Sequence, residues 1–167
     1  MHKDQTSFKE LYKRYAQDVY RFSFWLSGEA DTAKDITAET FARVWTSDAE
    51  TRMESVKAYL FTIARNVYRQ QHRRNRAISP ITEDIQDDSI RIEQQFEDRS
   101  ELHQTLAALQ KLPDIDRTLL SMRARDEMSY EEIAKATGLS LSAVKVKVFR
   151  ARAKLSTLVS HFRGANP

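Results

Sequence analysis

The sequence predicts an all-α fold: two small helical domains joined by a flexible acidic linker, the C-terminal one containing a helix-turn-helix. Three observations carry this prediction. Gly and Pro total only six among 167 residues, so turn formers are scarce and helices are favoured. Apolar side chains recur at spacings of three and four over most of the chain, which is the stripe of an amphipathic helix. Charge is segregated along the sequence. Residues 1–76 carry 14 basic and 10 acidic side chains, residues 77–101 carry 2 and 8, and residues 102–167 carry 11 and 6. Two basic segments therefore flank an acidic strip, a pattern that suggests a polyanionic partner.

The first domain, residues 1–76, reads as three helices. Phe8, Leu11, Tyr12, Tyr15, Val19, Phe22 and Leu26 form the inward stripe of the first. Ser7 and Glu10 fit a capping box at its start, and Gly28 ends it. Asp31 is the expected N-cap of a second helix carrying Ile36, Thr40, Phe41, Val44 and Trp45. The polar stretch TSDAETRME follows as a loop. A third helix is expected from about Ser55 to Arg76, with Leu60, Ile63, Ala64 and Val67 inward. Residues 77–100 are acidic, contain Pro80 and show little helical period, so they read as a mostly extended linker.

Four helices are expected in the second domain, residues 101–167. The first spans about 101–112, with Leu102, Leu106 and Leu109 inward. Pro113 interrupts it, and Asp114 is placed to cap the next, which runs to about Arg125. Ser129 and Glu132 form a capping-box pattern opening a short helix with Ile133 and Ala134. Gly138 supplies a turn, and a long basic helix follows from about Leu141 to Phe162.

Composition excludes several classes. There is no cysteine, hence no disulfide framework and no thiolate metal site. No apolar stretch approaches the ~20 residues that span a bilayer, and the N-terminus MHKDQTSFKE lacks an apolar signal core. A soluble cytoplasmic protein without membrane insertion is expected. The four histidines are scattered rather than paired at metal-ligand spacing. Glu83, Asp84, Asp87 and Asp88 sit in the linker without matched ligands. No catalytic residue, cofactor, metal or small-molecule substrate is therefore expected, and the chain is not read as an enzyme. A phosphate-accepting receiver domain ahead of the helix-turn-helix would need alternating strands, which the first domain does not show.

The segment SYEEIAKATGLSLSAVKVKVFRARAKL carries the most specific chemistry. Two helices meeting in a tight turn need a small residue where they touch, which is Ala134, and a residue that tolerates positive φ, which is Gly138. Leu139 and Val144 plug the space between them. The second helix then exposes Lys145, Lys147, Arg150, Arg152 and Lys154. Such a helix fits the major groove, where Arg and Lys reach guanine edges or phosphates. In the first domain, KAYLFTIARNVYRQQHRRNR has six Lys and Arg side chains and no acidic one. Arg65, Arg69, Arg73, Arg74 and Arg76 are expected toward its exposed side, where they could track phosphates. Tyr59, Phe61 and Tyr68 interleave with them, either as core or as faces for unstacked bases.

Taken together these segments resemble the extracytoplasmic-function sigma factors, the smallest members of the sigma-70 family of bacterial transcription initiation subunits. DITAETFARVW at 35–45 is similar to the family's core-polymerase-binding motif. SVKAYLFTIARNVYRQQHRR at 55–74 is similar to its promoter-melting and minus-ten-reading helix. LQKLPDIDRTLLSMRARDEMSYEEIAKATGLSLSAVKVKVFRARAKL is similar to its minus-thirty-five-reading domain. The resemblance implies that Asp35, Thr37, Glu39, Thr40, Phe41 and Trp45 lie on the helix that docks on core RNA polymerase. It implies that the loop Thr46–Glu54 and Asn66 hold an extruded minus-ten base, with Arg69, Arg73, Arg74 and Arg76 on the strand. It places Lys145, Lys147, Phe149, Arg150 and Lys154 against the minus-thirty-five element. Val146 departs from the small polar residue often found at its position. Promoter DNA, core RNA polymerase and a dedicated anti-sigma factor are the partners so implied.

Overall fold

The computed structural model describes residues 5–47, 55–78 and 101–164, with side chains described for 7–47, 55–75 and 101–160. The chain divides into two compact units, Met1–His72 and Arg73–Pro167. Among the described residues all regular structure is helical.

The first unit is built from α1 (Gln5–Ser27), α2 (Ala30–Thr46) and α3 (Val56–Ile78), the last of which runs past the unit boundary. Val19, Phe22 and Leu26 of α1 are buried against Ala33, Ile36, Phe41 and Val44 of α2 and Leu60, Phe61, Ala64 and Val67 of α3. Phe22 and Phe61 stack with ring centroids 4.4 Å apart. Gly28 ends α1 at φ 76°, its N–H donating to the Phe24 carbonyl.

Several start signals are set differently from the sequence reading. Ser7 lies within α1, because the helix is already formed at Gln5; the expected capping box does not open it. The N-cap of α2 is Glu29, which makes no side-chain cap bond, and Asp31 falls in the first turn. There its charge still favours the positive helix end. Ser55 caps α3 by accepting from the Ala58 N–H at 3.2 Å.

Buried hydroxyls in this core are satisfied locally. Ser23, Thr37 and Thr40 donate to the carbonyls of Val19, Ala33 and Ile36, each at 2.7 Å. A hydroxyl bonded back to its own helix carries no unmet polar group into the core.

The second unit contains α4 (Glu101–Leu109), α5 (Asp114–Leu120), a π-helical turn (Ser121–Arg125), α6 (Tyr130–Thr137) and α7 (Leu141–Gly164). Leu106, Leu109, Leu112, Leu119, Met122, Ile133, Val144 and Val148 close its core. Leu102, expected inward, is 55% exposed, whereas Leu106 and Leu109 on the same helix are buried. Asp114 is the first residue of α5 rather than its cap; Pro113 precedes the helix and makes no side-chain cap bond. The single helix expected to reach Arg125 changes to π geometry at Ser121, with the Asp126 N–H donating to the Ser121 carbonyl at 3.1 Å.

Arg117 is a buried cation, 7% exposed. Its guanidinium donates to the carbonyls of Leu112 at 2.8 Å and Gln110 at 3.5 Å. These carbonyls follow the C-terminus of α4, where helix geometry leaves acceptors unpaired and a positive charge is favoured.

Candidate nucleic-acid and polymerase interfaces

The helix-turn-helix forms as its residues require. Ser129 Oγ accepts from the Glu132 N–H at 3.1 Å and caps α6. Gly138 ends α6 in the left-handed region, φ 77°, with its N–H on the Ala134 carbonyl. Ser140 caps α7 by accepting from the Ala143 N–H at 3.1 Å, a cap that the sequence reading passed over. Ile133 and Val144 are fully buried between the helices, while Leu139 and Ala134 are half-buried.

Burial of Val144, Val148 and Ala151 sets the rotation of α7. Lys145, Phe149, Arg150, Arg152 and Lys154 consequently stand exposed, with Lys147 half-buried. All five expected minus-thirty-five residues thus lie on one helix, four of them fully on its open side. Lys145 also has company. Arg123, from the π-helical turn, sits 4.3 Å from the Tyr130 ring centroid, and Lys145 Nζ sits 6.0 Å from the same ring. Arg123 donates further to the Met128 carbonyl at 3.0 Å. Arg123 and Tyr130 were not singled out from the sequence: a turn separates them, so helical spacing gives no sign that they meet.

The core pattern of α3 turns Asn66 outward and leaves Arg69 half-buried; Arg73 and Arg74, on the same helix past the unit boundary, are exposed. Arg76 belongs to α3, and its side chain lies outside the described residues. Phe61 is fully buried, which settles it as core rather than a platform for bases. Tyr68 stacks on His72 at 5.7 Å. Tyr59 is half-buried. Of the expected base-holding loop, Thr46 is the exposed last residue of α2, and residues 48–54 lie outside the described residues.

The expected docking helix is only partly a surface. Thr37, Thr40 and Phe41, expected on this helix, are buried and so lie beneath its exposed face. The two threonines are occupied with their own helix, and Phe41 packs edge-on against Tyr12 at 4.9 Å. Asp35 and Glu39 are exposed, and Trp45 is 41% exposed with its ring edge-on to Phe8 at 4.8 Å. Glu39 pairs with Arg43 at 3.0 Å, and Arg43 also donates to Gln70 of α3 at 2.7 Å. That link between α2 and α3 involves residues the sequence reading did not name.

A capped helix-turn-helix with an outward basic face, and a second basic helix in a separate unit, define a class: helical proteins built to meet DNA. The comparisons narrow it. The model described as Sigma-70 region 2 matches residues 11–78, and that described as Sigma-70, region 4 matches residues 102–155. The chain is 32% identical to the RNA polymerase sigma factor YlaC of Bacillus subtilis, over 92% of both chains. It is 32% identical to the ECF RNA polymerase sigma factor EcfG of Rhodopseudomonas palustris, covering 83% of this chain and 77% of that one. The fold is similar to that of the sigma factor RpoE, solved in complex with the anti-sigma factor NepR from Bartonella quintana. The TM-score there is 0.72 at 23% identity, over 92% of this chain and 97% of that one. The chain belongs to the extracytoplasmic-function group of the sigma-70 family. Among the described residues no helix is long and apolar enough to cross a membrane.

Proposed function

We propose that the chain is a non-enzymatic, cytoplasmic initiation subunit that binds core RNA polymerase and directs it to a specific set of promoters. The observation that carries this reading is a pair of basic helices, α7 in the second unit and α3, which begins in the first. α7 presents an exposed basic face suited to a duplex groove. α3 presents Asn66 with Arg73 and Arg74 on a face suited to a displaced strand. In this reading residues 1–76 bind polymerase and the minus-ten element, residues 77–100 join the domains, and residues 101–167 read the minus-thirty-five element.

Within the first domain, Asp35, Glu39 and Trp45 make the contact surface for polymerase. Thr37, Thr40 and Phe41 act beneath it by holding α2 in place. Asn66 donates to and accepts from a base edge through its amide. Arg69 and Arg73 are four residues apart, share a helix side and follow successive phosphates, with Arg74 and Arg76 extending the track. Capturing an extruded base offsets part of the few kcal/mol that unstacking costs. An anti-sigma factor is a further partner in this reading; the sigma factor RpoE of similar fold was solved bound to one.

Asp35→Arg is the cleanest test of polymerase docking, because Asp35 is exposed and Glu39 is tied to Arg43. The expected result is at least a tenfold loss in co-purification with core polymerase at unchanged helicity and melting temperature. Undiminished co-purification would remove α2 from the interface.

A further inference from the structure

α2 carries a regular line of charge. Asp31, Asp35, Glu39 and Arg43 recur every four residues, so three exposed carboxylates run along one slowly winding strip of the helix toward a guanidinium. Arg43 leaves that strip. Its Nε donates to Glu39 Oε1 at 3.0 Å, and its Nη2 reaches across to α3 and donates to Gln70 Oε1 at 2.7 Å. Gln70 is exposed and stands one turn beyond Asn66, with Arg69 beside it in sequence. One guanidinium therefore joins the end of the acidic strip to the side of α3 that carries Asn66. Its two anchors differ in charge. Glu39 neutralises Arg43, whereas the amide of Gln70 holds it in place without neutralising it. The ion pair is also open to exchange: the Arg43 and Glu39 side chains are 38% and 47% exposed, so a partner's cation can reach the carboxylate.

We propose that Arg43 is a positioning residue that couples polymerase docking on α2 to strand capture on α3. The inference rests on the proposed function and deepens it. A strip bearing Asp31, Asp35 and Glu39 is complemented by a basic surface. When a cation of that surface takes Glu39, Arg43 loses its counter-charge and keeps its bond to Gln70. A positive charge neutralised in the free chain then stands uncompensated on the Asn66 side of α3, where a phosphate of the displaced strand takes the place of the carboxylate. Exchanging one anion for another at a held guanidinium makes the two binding events favour each other. The effect is reciprocal: a strand that draws on Arg43 frees Glu39 for polymerase. Its size is bounded by the pair exchanged. Exposed ion pairs are weak, so the coupling amounts to a factor of about two to five in affinity.

The test is a mutant cycle on the full chain. It is read by fluorescence anisotropy of a single-stranded oligonucleotide carrying the minus-ten element that run-off transcription maps. Low salt is used, because exposed charges are then least screened. Glu39→Gln removes the counter-charge as a polymerase cation would, so the free variant should bind the strand about two- to five-fold more tightly than wild type. Asp35→Asn removes the same charge one turn farther from Arg43 and should give a smaller gain. The gain should need Arg43: Glu39→Gln combined with Arg43→Gln should bind as Arg43→Gln alone does. Once saturated with core polymerase, wild type and Glu39→Gln should hold the strand equally, since polymerase has already taken Glu39. All these side chains lie outside the core, so melting temperatures should stay near wild type. If the gain is absent, persists without Arg43, is matched by Asp35→Asn, or survives in the polymerase complex, the proposal is overturned. A strand retained neither by the chain nor by its polymerase complex overturns the strand-facing role of α3 itself.

Discussion

Arg150 and Lys154 stand one turn apart on the open side of α7, yet their chemistry predicts different losses. A planar guanidinium can bond a guanine edge bidentately, whereas an ammonium acts as a point charge on phosphate. Arg150→Ala should cost about 1–3 kcal/mol on the preferred element and relax preference at one base pair. Lys154→Ala should weaken matched and mismatched elements alike and reduce the salt slope by about one. Binding to both elements across a salt series checks this; equal losses for Arg150→Ala on both would remove it as a reader. Arg117 illustrates a different role for the same side chain. It is buried on the carbonyls of Leu112 and Gln110. Arg117→Ala would strand those acceptors, at about 1–3 kcal/mol, and thermal unfolding should show the melting temperature fall. An unchanged melting temperature would mean that water replaces the guanidinium without loss. Arginine composition alone did not separate these two fates, because the partner carbonyls of Arg117 belong to the turn between α4 and α5.

At the scale of elements, two positive-φ positions flank α6. Gly138 sits at φ 77° and Glu127 at φ 53°. A Cβ at Gly138 would meet nothing within 4 Å, so any cost of Gly138→Ala comes from backbone conformation. That cost is about 1 kcal/mol. Glu127 already bears that strain, so Glu127→Gly should be neutral or stabilising by up to about 1 kcal/mol. Chemical denaturation of both variants distinguishes them; a destabilising Glu127→Gly would contradict the strain argument. The signals legible in the sequence were those with a local cause. Gly28 and Gly138 ended their helices, Ser129 capped α6, and Val19, Phe22 and Leu26 of the α1 stripe faced inward, while Tyr12 of the same stripe is 47% exposed. The sequence left the outcome open, or missed it, where a second element decides. Leu102 has helical spacing with Leu106 and Leu109, yet it is more than half exposed. Phe61 alternates with arginines along α3, yet Phe22 of α1 takes it into the core. Thr37, Thr40 and Phe41 fall in the polymerase-binding motif, but the docking of α2 on α1 and α3 leaves only part of that motif at the surface.

For the whole molecule, the segregation of charge has a functional sense. Two basic stretches, net +4 over residues 1–76 and +5 over 102–167, flank a strip of net −6 over residues 77–101. Two units with their own cores let one chain address two separate DNA elements. In the proposed function, base readout is divided between a duplex-facing helix and a strand-facing helix. The acidic strip would be repelled by DNA phosphate, so it suits a joining segment better than a third DNA contact. The central claim is that this division confers promoter choice on a polymerase that lacks it. Run-off transcription with purified core polymerase and this chain on fragments of the source genome tests it most directly. The account predicts discrete transcripts that require the chain, begin at few positions, and share one minus-thirty-five and one minus-ten element upstream. Transcripts no different from those of core polymerase alone would contradict it.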